Sequence, residues 1–139
     1  MKSMTRILAI LSALVLLVSL VSCGDKSAAI KKAFEDNEWT VKTVNTDNST
    51  VKTVLSLLLT DEQIEKAADY EIIWCNKNIV KNAVVIKFPS SGDVKTFLTV
   101  TDSDGKANTK AYDDAKANGL INGNCLLITA DSDAKELFK

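Results

Sequence analysis

Tyr70-Glu-Ile-Ile-Trp-Cys-Asn76, a turn, and Ala83-Val-Val-Ile-Lys-Phe88 decide the fold class. Both runs are short, apolar and rich in β-branched residues, and Lys77–Asn82 between them is polar enough to reverse the chain. Val84, Val85 and Ile86 are consecutive apolar residues, which suits an interior strand covered on both faces. Pro89, the only proline, ends that strand, because it has no amide to donate to a ladder.

Two further strands lie outward from this pair. Trp39-Thr-Val-Lys-Thr-Val44 alternates, with Trp39, Val41 and Thr43 on one side and Thr40, Lys42 and Val44 on the other. Cys125-Leu-Leu-Ile-Thr129 is the last strand. Helical spacing fills the gaps. Ile30, Ala33 and Phe34 form one stripe within Lys26–Asn37, and Val51, Val54, Leu55 and Leu58 another. Thr60-Asp-Glu-Gln63 and Ser90-Ser-Gly-Asp93 read as helix-starting boxes. Ala111, Tyr112 and Ala115 mark a helix running from Lys106 or Ala107 to Asn118, closed by Gly119. Asn122-Gly123 is a tight turn, and Asp131 or Ser132 caps a last helix ending in Leu137 and Phe138.

The order helix, β-α-β-β-α-β, helix predicts an α+β domain. The expected form is a ferredoxin-like four-stranded antiparallel sheet with extra N- and C-terminal helices. Right-handed crossovers put both main helices on one face, leaving the other open or covered by the terminal helices. The usual 4-1-3-2 order sets the Cys75 and Cys125 strands about 14 Å apart, at about 4.8 Å per strand. In an oxidising envelope the even pair Cys75 and Cys125 is a candidate disulfide, with two separate buried thiols as the alternative; the bridge and that strand order are incompatible.

The first 22 residues carry a different signal. Lys2 and Arg6 precede an apolar run from Ile7 to Val18 in which only Ser12 is polar, and no charge recurs until Asp25. That is the layout of a secretory signal peptide. Ile7–Val21 is shorter than the roughly 20 apolar residues a membrane crossing needs. Leu20-Val21-Ser22-Cys23 follows directly and resembles the bacterial lipobox. The resemblance implies a lipoprotein: cleavage before Cys23, a diacylglyceryl thioether on its sulfur, and acyl chains of the palmitate type. Two or more chains hold a protein stably, where one binds only marginally. Gly24, not Asp, follows Cys23.

On this reading residues 1–22 are the signal peptide, and 23–37 are the lipidated Cys23, a short tether over Gly24–Ala29 and a first helix. Residues 38–139 are one α+β domain. From Glu38 to Phe138 it resembles small exported bacterial lipoproteins, a class that brings no functional residues with it. The expected place is the cell envelope, on the outer side of the cytoplasmic membrane or in the outer membrane. The lipid on Cys23 is the membrane contact, and an envelope protein is a candidate partner.

Composition narrows the chemistry. The chain has no histidine, which removes His-activated nucleophiles and His-bound zinc. Arg6 is its only arginine and leaves with the signal, so bidentate guanidinium recognition of phosphate goes with it. Seventeen cations against 18 anions, two of the cations lost on processing, give no basic patch. Nucleic acid is not an expected partner. No cofactor or metal site is expected either: the Asp102-Ser-Asp-Gly105 run departs from calcium-loop order at Val100 and Ala111.

Three functional readings follow. The leading one is a non-catalytic binding or structural module, with Trp39 and Trp74 as the candidate surface. The second is an envelope enzyme using Asp113 and Asp114 or Asp102 and Asp104, although neighbours on a helix diverge by about 100°. The third is a thiol-redox protein using Cys75 or Cys125.

Overall fold

The computed structural model describes residues 25–139, and Cys23 with the whole of the signal segment lies outside that range. Its helices are α1 Ser27–Asp36, α2 Ser49–Leu55, α3 Asp61–Ala67, α4 Ser91–Leu98, α5 Lys110–Ala117 and α6 Ser132–Leu137. Its longer strands are β1 Thr40–Val44, β2 Glu71–Asn76, β3 Asn82–Lys87 and β7 Cys125–Ile128. Three two-residue strands complete it: β4 Val100–Thr101, β5 Ala107–Asn108 and β6 Ile121–Asn122. The chain is α+β, as the alternation of periods predicts.

The local starts are those written in the sequence. Thr60 accepts from the Gln63 amide while the Gln63 side chain accepts from the Thr60 amide, a complete capping box for α3. Ser90 caps α4, Asp131 caps α6 and Asn48 caps α2 through their side chains. The helix expected from Lys106 or Ala107 begins later, at Lys110, because Ala107 and Asn108 pair with Val100 and Thr101 as a small hairpin.

The strand order corrects the ferredoxin-like expectation. The five-stranded sheet runs β1-β2-β3-β7-β6, and every neighbouring pair is antiparallel. The helical stretches between β1 and β2 and between β3 and β7 are excursions that return to the adjacent position. The four longer strands are therefore neighbours in chain order, and the two-residue β6 lies beyond β7 at the edge. The β-α-β-β-α-β order fits both topologies, and only the long-range pairing separates them.

Pleating sorts the side chains into two cores. One face carries Ile72, Val84, Ile86, Leu126 and Ile128 beneath α2, α3, α4 and α5. The other carries Ile73, Cys75, Val85, Cys125 and Leu127 beneath α1 and α6. Phe34 of α1 and Phe138 at the end of α6 are fully buried there. The terminal helices thus cover the second face, and β3 is buried on both sides, as its unbroken apolar run requires.

The first helix is part of this body. Ile30 and Phe34 belong to the second core, and the backbone amides of Lys26 and Ser27 are already bonded, to the side chains of Asn124 and Asp25. The expected tether over Gly24–Ala29 is corrected accordingly: Ser27–Ala29 belong to α1 and the Lys26 amide is bonded to Asn124, while Gly24 lies outside the described residues. No helix among the described residues is long and apolar enough to cross a membrane.

Candidate functional site

The tryptophans do not form one surface. Trp39 is 5% exposed and sits edge-on to Phe34, ring centroids 5.1 Å apart, inside the second core. Trp74 is half-buried and packs against the first core. The register that places Lys42 opposite Trp74 and Val41 opposite Cys75 puts the two indoles on opposite faces of the sheet.

The cysteines are separate free thiols, which corrects the candidate Cys75–Cys125 disulfide. Cys75 lies opposite Ala83 on β3, and Cys125 lies opposite Lys87, four residues further along the same strand. That is about 10 Å across and about 13 Å along the sheet, against a Cα limit near 7 Å for a bridge. Both are completely buried, and burial pushes each thiol up to about 12. A redox nucleophile needs the reverse, an accessible thiol with a lowered pKa.

Three of the four acids in the candidate pairs are engaged by neighbours. Asp114 is bound to Lys110 at 2.6 Å, and Asp113 accepts from the Thr109 hydroxyl at 3.1 Å. Asp102 accepts from the amides of Asp104 and Lys106, closing the β4–β5 turn. An open cleft of about 580 Å³ between α3 and β4 is lined by Asp61, Glu62, Phe97 and Val100. Asp61 and Glu62 are exposed, adjacent on the helix and therefore divergent, and Glu62 is paired with Lys66. Among the described residues no group of three or more acids and cysteines is arranged to hold a metal ion.

Two ends of the sheet stand out instead. At one end, Asp25 binds Lys87 at 3.0 Å and accepts from the Ser27 amide at 2.9 Å. Asn124, 2% exposed, accepts from the Lys26 amide at 3.0 Å. Its side-chain amide donates to the Phe88 carbonyl at 2.8 Å and to Asp25 at 3.4 Å. Glu71 extends the network to Lys31 at 3.2 Å and Lys87 at 3.6 Å, with the Thr43 hydroxyl donating to it at 3.3 Å. Burial alone would raise the Asp25 carboxyl; hydrogen bonds from Ser27, Lys87 and Asn124 more than offset it and hold the acid well below the carboxylate range. Glu71 is lowered likewise, with Lys31 the leading partner against a burial effect of opposite sign. Gly123, which leads the turn into Asn124, has φ +58°, and a Cβ there would stand 2.6 Å from the Lys26 side chain. Only glycine meets both demands.

At the other end, the β2–β3 turn exposes Ile79 at 94% and Val80 at 79%. Three asparagines fix it. Asn78 Oδ1 accepts from the amides of Val80 at 3.0 Å and Lys81 at 2.9 Å. The Asn76 side chain donates to the Asn78 carbonyl at 2.9 Å, and that of Asn82 to the Ile79 carbonyl at 3.3 Å. Lys81 is paired with Asp133, and Lys77 donates to the Asn37 carbonyl, so both ammonium groups turn back onto the domain. Two β-branched aliphatic residues are left as the uncharged tip of an ordered turn. Sequence reading took Lys77–Asn82 as a connection only. The overlooked signal was an Ile-Val pair in mid-turn, bracketed by Asn76, Asn78 and Asn82.

Comparison with known proteins returns no matching family model, no matching curated protein and no matching solved structure.

Proposed function

We propose that this chain is a membrane-anchored bacterial envelope lipoprotein, lipidated at Cys23, that serves as a non-catalytic binding or structural module. Its place is the outer side of the cytoplasmic membrane or the outer membrane, and its partner is an envelope protein. The observation that carries the binding reading is the ordered Ile79-Val80 tip. An apolar pair in water is common enough singly. One whose backbone is held by three side-chain amides is preorganised, and a partner meets less ordering cost on binding it. The anchor reading rests on the signal pattern and the Leu20-Val21-Ser22-Cys23 motif.

The test has two parts in the producing cell. Labelled palmitate should enter the native protein and be absent from a Cys23→Ala variant. A photo-crosslinker at Ile79 should give one discrete adduct that the same probe at Leu57, itself 59% exposed, does not give. That adduct should disappear in a Val80→Asp background. Palmitate incorporation that survives Cys23→Ala removes the anchor reading. Identical adducts from Ile79 and Leu57 remove the tip as the contact.

A further inference from the structure

The pinned end of the sheet lies close to the proposed lipid. Gly24 is the only residue between Cys23 and Asp25, so their Cα atoms stand at most about 7 Å apart. Asp25 is not a free end: Lys87 and Asn124 tie its side chain, and Asn124 also takes the Lys26 amide. These partners sit where β3 ends and β7 begins, beside Glu71 at the start of β2. The Ile79-Val80 turn closes the opposite end of β2 and β3. Six residues of strand at about 3.4 Å each separate the two by about 20 Å, nearly three times the reach of the connection.

We propose that the lipid on Cys23 fixes this domain in one orientation, with the Asp25 end resting on the headgroups and the Ile79-Val80 turn facing away from the bilayer. The inference rests on the lipoprotein reading above. A domain on a long polar linker would sample all orientations; here the linker is one residue and its far side is bonded into the fold. The surface that results is suited to a headgroup layer. Asp25 pairs with Lys87 and Glu71 with Lys31, while Lys26 and the exposed Asp69 beside Pro89, neither in an ion pair among the described residues, offset each other. The end is close to neutral and carries no net repulsion from the headgroups. The outward end keeps its apolar pair clear of the same membrane, so its occupant is a protein with an apolar pocket.

Full-length lipidated protein in vesicles of phosphatidylethanolamine and phosphatidylglycerol tests this, with a fluorophore on a cysteine introduced as Pro89→Cys or as Ile79→Cys. Cys75 and Cys125 are buried and leave the labelling selective. Headgroup-attached quenchers should quench the Pro89 probe several-fold more than the Ile79 probe. Twelve Gly/Ser residues inserted after Gly24, with a reach of about 19 Å, should abolish the difference without touching the fold. Equal quenching without the insertion overturns the orientation while the anchor stands. Stronger quenching at Ile79 overturns it in favour of a turn that dips into the bilayer. Failure of the unmutated protein to take up labelled palmitate and to float with vesicles overturns the anchor, and the orientation with it.

Discussion

The two ends of the sheet are built on opposite plans. At the Asp25 end, residues from the start and finish of the domain meet: Lys26 with Asn124, and Asp25 with Lys87 and Asn124. Polar groups there are spent on long-range bonds that fix where the chain enters the fold. At the Ile79 end, the backbone is fixed by local asparagine bonds two or three residues long, and two apolar side chains are left in water. One end is closed by distant partners. The other has its turn backbone ordered by its own neighbours, ties only its two lysines to distant partners, and leaves Ile79 and Val80 uncommitted.

That contrast can be broken most severely through α1. Phe34→Ala removes a fully buried ring from the second core and should cost about 3–5 kcal/mol in urea unfolding. Loss of cooperative unfolding would show that packing, more than the polar network, holds the entry. Asn124→Ala comes next. It leaves the Phe88 carbonyl and Lys26 amide without their side-chain partner, for about 1–3 kcal/mol. A change well below that range would mean water replaces the amide and the closure is weaker than its geometry suggests.

The ionic part should show in the pH dependence. Asp25 and Glu71 are depressed in the fold, so their contribution is present above the unfolded carboxylate range, near pH 4, and fades as pH falls toward the lowered folded values. Lys87 is raised, so its share is present below its ordinary value of 10.5 and is lost as pH rises through the higher folded value. Asp25→Asn should flatten the acid limb of a stability–pH curve by lowering the neutral plateau toward the acid value, and by a small amount because the pair is about one-third exposed. An acid limb identical to that of the unmutated protein would remove Asp25 from the account. The smallest effect belongs to the other end. Val80→Asp should stay within about 0.5 kcal/mol of the parent in thermal unfolding and, with the photo-crosslinker at Ile79, still lose the adduct. A large destabilisation would show that the tip packs in solution, ending the contrast.

Much of the fold was legible because its cues are local. The Thr60–Gln63 box, the Ser90 cap, the Pro89 stop and the two-face burial of Val84–Ile86 each depend on a few neighbouring residues, and each element appears where those residues predict it. The hairpin of β4 and β5 was not legible, since two-residue strands carry too few side chains for a period. The candidate site was read less well than the elements. Trp39 and Trp74 were paired on residue type, but strand parity sends them to opposite cores. Ile79 and Val80 sat inside a turn whose polarity, judged as a whole, concealed them.

By itself the sequence determined the α+β class, the starts of α3, α4 and α6, the interior character of β3, the lack of histidine-dependent chemistry and the expectation of an anchor at Cys23. Those follow from composition and from spacings shorter than a turn or a strand. Tertiary structure alone decided the β1-β2-β3-β7-β6 order, the separation of Cys75 from Cys125, and the bonding of Asp25 to Lys87 and Asn124. Each joins residues far apart in the chain, and no local propensity encodes which distant strand or side chain satisfies a buried group.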